Sequence, residues 1–190
     1  MTDTSAGAAG PGAADASQMP QVQINAQYVK DLSFENPNAP QSLLASQDAP
    51  QIEVSVDVGA RALGDNRYEV ELRVTAHAKR AEHQAFVVEV LYAGVFTLLN
   101  VPQESLKPVC LIECPRLLFP FARRIIADAT RDGGYPPLLL EPIDFARLFV
   151  EQEQQARQAQ AAPAGDGAQG NGAAADGTPA EGEAADNTTA

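Results

Sequence analysis

Tyr68-Glu-Val-Glu-Leu-Arg-Val-Thr-Ala-His-Ala78 alternates without a break, with an apolar or aromatic side chain at every even position. A period of two places those residues on one side of an extended strand and the charged residues on the other. Such a strand needs one covered face and tolerates water on the other, as in antiparallel sheets. The neighbouring segments repeat the signal. Ile52-Glu-Val-Ser-Val-Asp-Val58 alternates in the same way, and Gly59 to Asn66 carries turn chemistry. Lys79 to His83 reads as a polar loop, and Ala85 to Phe96 as a more apolar strand broken by Gly94.

A further strand lies upstream, in Tyr28-Val-Lys-Asp-Leu-Ser-Phe-Glu-Asn-Pro-Asn-Ala-Pro40. When extended, it points Leu32 and Phe34 one way and Asp31, Ser33 and Glu35 the other. Pro37 and Pro40 cannot continue a ladder, so the chain leaves the sheet there. This strand therefore has an apolar inner face and an acidic outer one.

From Pro102 the period changes. Gln103 to Glu113 reads as helix, interrupted at Pro115. Phe119 to Thr130 reads as a stronger helix, with Phe121, Ala122, Ile125, Ile126 and Ala129 at helical spacing. Its neighbourhood is apolar on two sides, Leu117/Phe121/Ile125 and Leu118/Ala122/Ile126. One side can cover the sheet, and the other fits an oligomer interface. Asp132-Gly133-Gly134 ends the helix, since glycine supplies a left-handed cap. A proline-rich connector with Leu138, Leu139 and Leu140 follows. Asp144 is placed to cap a last helix running to about Gln158, polar beyond Glu151. The order predicts an α+β fold: a four-stranded antiparallel sheet, then a long helix and a shorter C-terminal helix.

The ends differ in composition. Residues 1–20 and 159–190 are dominated by Ala, Gly and small polar residues, and the second has no Val, Leu, Ile or aromatic. Both are expected to be disordered tails flanking one domain over 21–158. Of the formal charge of −12, the tails carry Asp3, Asp15, Asp166, Asp176, Glu181, Glu183 and Asp186 and no base, leaving 18 acids and 13 bases between them. An acidic domain without a basic cluster argues against nucleic acid and anionic lipid. With no secretory leader and no apolar span, a cytoplasmic location is expected.

No catalytic constellation is present. His77 and His83 read as a strand and a loop residue. Cys110 and Cys114 share a helix face, but a zinc site needs about four ligands and no second pair exists. Gly165-Asp-Gly-Ala-Gln-Gly170 fits a dinucleotide fingerprint by spacing, yet it follows no strand and opens no helix. Glu69 and Glu71 read as solvated strand carboxylates. No enzyme activity and no cofactor are expected.

The blocks Tyr28–Pro40, Tyr68–Val74, Ala85–Val90, Cys114–Arg123, Gly134–Leu138 and Pro142–Phe145, in that order and spacing, strongly resemble the SecB-type protein-export chaperones over about residues 21–155. The acidic Ala/Gly-rich tails are similar to those of alphaproteobacterial members. The resemblance implies a cytoplasmic homotetramer, a dimer of dimers, that binds unfolded precursor proteins without ATP. It also implies delivery to the motor SecA, whose zinc-bearing C-terminal segment docks on the sheet, so the metal is the partner's. The family's docking positions match Asp31, Glu35, Val87 and Glu89. An exportable client needs an accessible apolar groove, and Leu138, Leu139, Leu140, Phe145, Leu148 and Phe149 are the candidates for its lining. The alternatives are a SecB-like chaperone serving a toxin–antitoxin pair and a small α+β ligand-binding domain.

Overall fold

The computed structural model describes residues 19–44 and 49–161. The two tails, with the glycine fingerprint, lie outside them apart from a few flanking residues. Four strands form one antiparallel sheet: β1 (Gln21–Glu35), β2 (Gln51–Gly64), β3 (Arg67–Arg80) and β4 (His83–Leu99). Their spatial order is β1-β4-β3-β2. The last three form a meander, and β1 crosses the end of the sheet to lie beside β4, giving a Greek-key order. A short helix, α1 (Gln41–Leu44), sits in the crossover. After the sheet come α2 (Gln103–Pro108), a π-helical turn (Val109–Glu113), α3 (Cys114–Asp132) and α4 (Phe145–Ala161).

The even-numbered residues of β3 and β4 face the helices. Val70, Leu72, Val74, Val88, Val90 and Phe96 are fully buried there with Leu118, Ala122 and Ile126 of α3. Gly94 is in the strand because α3 comes close: an added Cβ would stand 2.8 Å from Leu118 Cδ2.

Several boundaries differ from the sequence reading. β1 begins at Gln21, and two bulges, between Ile24 and Ala26 and between Val29 and Asp31, break its alternation. β2 runs through Gly59 to Gly64, and the turn is confined to Gly64, Asp65 and Asn66, all at positive φ. The expected loop at Lys79–His83 shrinks to a two-residue turn. Pro115 does not break the helix. The Cys114 N–H bonds to Val109 O, five residues back, so the register slips in the π turn, and Pro115 falls in the first turn of α3. Cys110 and Cys114 are buried along this slip, and the hydrogen bond between them, with burial second, pushes the Cys114 thiol up.

The Gly133-Gly134-Tyr135 block fastens α3 to β1. The Tyr135 N–H bonds Thr130 O (3.1 Å) and the Gly134 N–H bonds Arg131 O (3.0 Å). This is a Schellman cap, with Gly134 at φ 89°. Gly133 is demanded by contact instead: a Cβ there would lie 2.1 Å from Phe34 Cζ. The Phe34 ring stacks on Phe86 at 5.7 Å, and Phe86 packs on Tyr135 at 4.8 Å. The Tyr135 hydroxyl lies 2.9 Å from Ala85 O and 3.0 Å from both Asn36 Oδ1 and Ser42 Oγ. The crossover is thus pinned where the chain leaves the sheet. At the other end of the connector, Asp144 Oδ1 accepts from the N–H groups of Ala146 and Arg147 (both 3.1 Å), so it caps α4 as its position implied.

Candidate functional site: the helix-free face of the sheet

The odd-numbered residues of β3 and β4 form the second face of the sheet, which among the described residues no helix covers. Strand register arranges it in rows. Glu53, His77, Val87 and Glu35 make one row, Ser55, Thr75, Glu89 and Ser33 the next, and Asp57, Arg73, Leu91 and Asp31 the third. All four sequence-predicted docking residues therefore fall in one patch. Glu35 is directly opposite Val87, and Glu89 is opposite Ser33, between Asp31 and Glu35. Asp31 and Glu35 are exposed, and Val87 and Glu89 are half-buried between strands. His77 is exposed in the same patch, and His83 opens β4.

Charge divides the face. Beyond the third row, Glu69 accepts from Arg61, Tyr28 and Lys30, and Lys30 also reaches Glu71. Bases and carboxylates balance in this half. Hydrogen bonds from Arg61 and then Tyr28 hold the Glu69 carboxyl at about 2, well below the usual carboxylate range. The same bond to Glu69 pushes the Tyr28 phenol up. Glu69 is only 3% exposed, which corrects its reading as a solvated strand residue. Arg61 stands directly opposite Glu69, while the small residues Gly59 and Ala93 stand opposite Glu71. The bulge between Val29 and Asp31 lets Lys30 share this face with both Tyr28 and Asp31, which strict alternation would not allow. The other half keeps a net negative charge: among the described residues no base pairs with Asp31, Glu35 or Asp57, while Glu89 is held by Arg73 and by Thr75 Oγ1 (3.1 Å) and Glu53 by Lys79 (3.7 Å).

The six residues read as groove lining do not form one surface. Leu140 and Phe145 are core residues, 5% and 1% exposed, because the connector folds back under α3. Phe145 meets Phe119 edge-on at 6.1 Å. Leu138 and Leu148 pack partly against the same core. Leu139 is 65% exposed, and Phe149 is half-buried beneath the Lys107 ammonium. An apolar groove does exist elsewhere, a cavity of about 510 Å³ between β2 and the start of the helical layer, lined by Val58, Ala60, Tyr68, Leu106, Cys110 and Leu111. It was missed because β2 was read as ending at Val58; the even positions Ala60 and Ala62 were the available signal.

The helical layer also leaves the edge strand uncovered. Val22, Ile24, Val29 and Leu32 of β1 and Leu117 and Phe121 of α3 are each between 37% and 46% exposed. Phe121 stacks on Tyr92 at 6.1 Å. Among the described residues no helix is long and apolar enough to cross a membrane, and no group of His, Cys, Asp and Glu is placed to hold a metal.

Comparison with known proteins agrees with this fold. The family model described as preprotein translocase subunit SecB matches residues 15–156. The protein-export protein SecB of Maricaulis maris is 54% identical over 151 residues, which is 80% of this chain and 87% of that one. That of Parvibaculum lavamentivorans is 51% identical over 159 residues, covering 84% and 95%. A SecB-like chaperone of Mycobacterium tuberculosis, solved with a peptide from an antitoxin, aligns at TM-score 0.53 over 64% of this chain and 90% of its own. At 17% identity that likeness speaks only to the fold, whereas the closely matching relatives are export proteins, so a role confined to a toxin–antitoxin pair is not favoured. The chain belongs to the SecB family of protein-export chaperones.

Proposed function

We propose that this chaperone holds unfolded precursor proteins in the cytoplasm without ATP and hands them to SecA, working as a homotetramer built as a dimer of dimers. The observation that carries the delivery step is the register placing Asp31, Glu35, Val87 and Glu89 together on the helix-free face. An acidic patch that includes the half-buried Val87 fits a basic, zinc-bearing segment, which it would attract and orient by charge. Client binding needs apolar area without strict geometry. The groove along β2, with exposed Leu139 and half-exposed Phe149 as further contacts, offers it at about 25 cal/mol per Å² covered. The uncovered strip of β1 and α3 supports self-association.

Two measurements test the reading. Native mass spectrometry with and without an unfolded precursor, no ATP added, should show a tetramer that gains client mass. Asp31→Asn with Glu35→Gln should weaken SecA binding about tenfold at low salt, from two partly exposed charges, and leave client binding intact. Unchanged SecA affinity would remove the docking assignment.

A further inference from the structure

Among the described residues Arg73 is the one cation within the three rows, and Lys79, one row outward, reaches Glu53 at 3.7 Å. Arg73 on β3 stands directly opposite Asp57 on β2 and Leu91 on β4, yet its guanidinium reaches diagonally to Glu89. Thr75 donates to the other Glu89 oxygen at 3.1 Å. Both members of the pair keep water contact, with Arg73 42% and Glu89 28% exposed. The central carboxylate of the patch is therefore occupied, while Asp31 and Glu35 beside it are unpaired.

We infer that Arg73 is a specificity-determining residue of the docking surface, a built-in counter-ion that makes the patch selective against cations in general. The inference rests on the docking reading above. A chaperone for unfolded chains meets many exposed lysines and arginines. A patch of bare carboxylates would bind them through charge alone. A loose cation approaching Glu89 meets the positive charge of Arg73 at the same distance and gains little there. A partner of defined shape gains more: it can seat an apolar group on half-buried Val87 and direct its cations to Asp31 and Glu35 at the edge. The repulsive element is what separates the two classes of ligand. A partly exposed pair of this kind is cheap to rearrange, so it does not impede the correct partner.

The test uses the full-length chaperone with two ligands, the zinc-bearing C-terminal segment of SecA and an oligolysine peptide of equal net charge, each titrated at low and moderate salt. Arg73→Gln should tighten oligolysine binding about two- to fivefold and change binding of the segment less, so the ratio between them falls. Arg73→Lys should restore the ratio. The gain for oligolysine should fade as salt rises. A purely structural Arg73 would shift the unfolding midpoint and leave the ratio unchanged, and that result overturns the inference. Asp31→Asn with Glu35→Gln runs alongside. If it leaves segment binding intact, the docking reading has failed; if it weakens segment binding while Arg73→Gln leaves the ratio fixed, only the role of Arg73 has failed.

Discussion

Glu69 shows how a single carboxylate can hold a sheet edge. It takes hydrogen bonds from Tyr28 and Lys30 of β1 and from Arg61 of β2, so it spans the sheet from one edge strand to the other. Its proton affinity in the fold lies below that of an unfolded chain, near 4.3. A depressed carboxyl contributes stability that is fully present above the unfolded value and is lost as pH falls toward about 2. Glu69→Gln should lower stability at pH 7 by on the order of 1–3 kcal/mol, since a buried charged partner is removed. The difference from the natural chain should shrink between pH 4.5 and 2, as seen by urea unfolding at several pH values. A pH-independent difference would show that the charge is not what stabilises the cluster. None of this was visible in the sequence, where Glu69 and Glu71 are equivalent members of one alternation. Their difference arises from what stands across from them, Arg61 for Glu69 but Gly59 and Ala93 for Glu71, and from a bulge on β1, and these are tertiary facts.

Among the elements, the join between β1 and α3 is the most tightly specified. Gly133→Ala would drive a methyl into the Phe34 ring, which would have to leave its stack on Phe86. A loss of about 1–3 kcal/mol is expected, the usual cost of overpacking, measured by denaturant midpoint. Phe34→Leu in the same chain should recover part of it, because the two sites share one contact. The elements themselves were largely legible. Period two marked β2, β3 and β4, helical spacing marked α3, and Asp144 marked the start of α4. What failed was punctuation: Gly59 looked like a turn but lies in a strand, and Pro115 looked like a break but follows a π turn. Glycine and proline state what the backbone can tolerate, and packing decides whether the option is used. The start of β1 at Gln21 was missed because two bulges divide its alternation into short pieces.

For the whole molecule, Asp31, Glu35, Val87 and Glu89, the proposed docking residues, could be assigned to faces from the sequence, but not to neighbouring positions. That depended on strand order, which alternation does not encode. The groove residues fared worse, because an apolar connector reads the same whether it lines a groove or fills a core. The uncovered strip of β1 and α3 carries the prediction at this scale. Leu32→Asp with Phe121→Asp should reduce the native mass from tetramer to smaller species while the circular dichroism of the fold is retained, since both side chains already contact water in the single chain. An intact tetramer would place the interface elsewhere.

The Greek-key order also sets a timetable. Among the four strands of the sheet β1 leaves the ribosome first, and its ladder partners, residues 87–99, belong to the last of the four. At about 5–20 residues per second, the N-terminal strand waits roughly 3 to 15 seconds before its neighbour is synthesised. During that interval its backbone donors are unpaired, and Val22, Ile24, Val29, Leu32 and Phe34 have no sheet to join. The nascent chaperone thus passes through a stage in which its own leading segment is extended, partly apolar and unprotected, the same condition that it relieves in the proteins it serves.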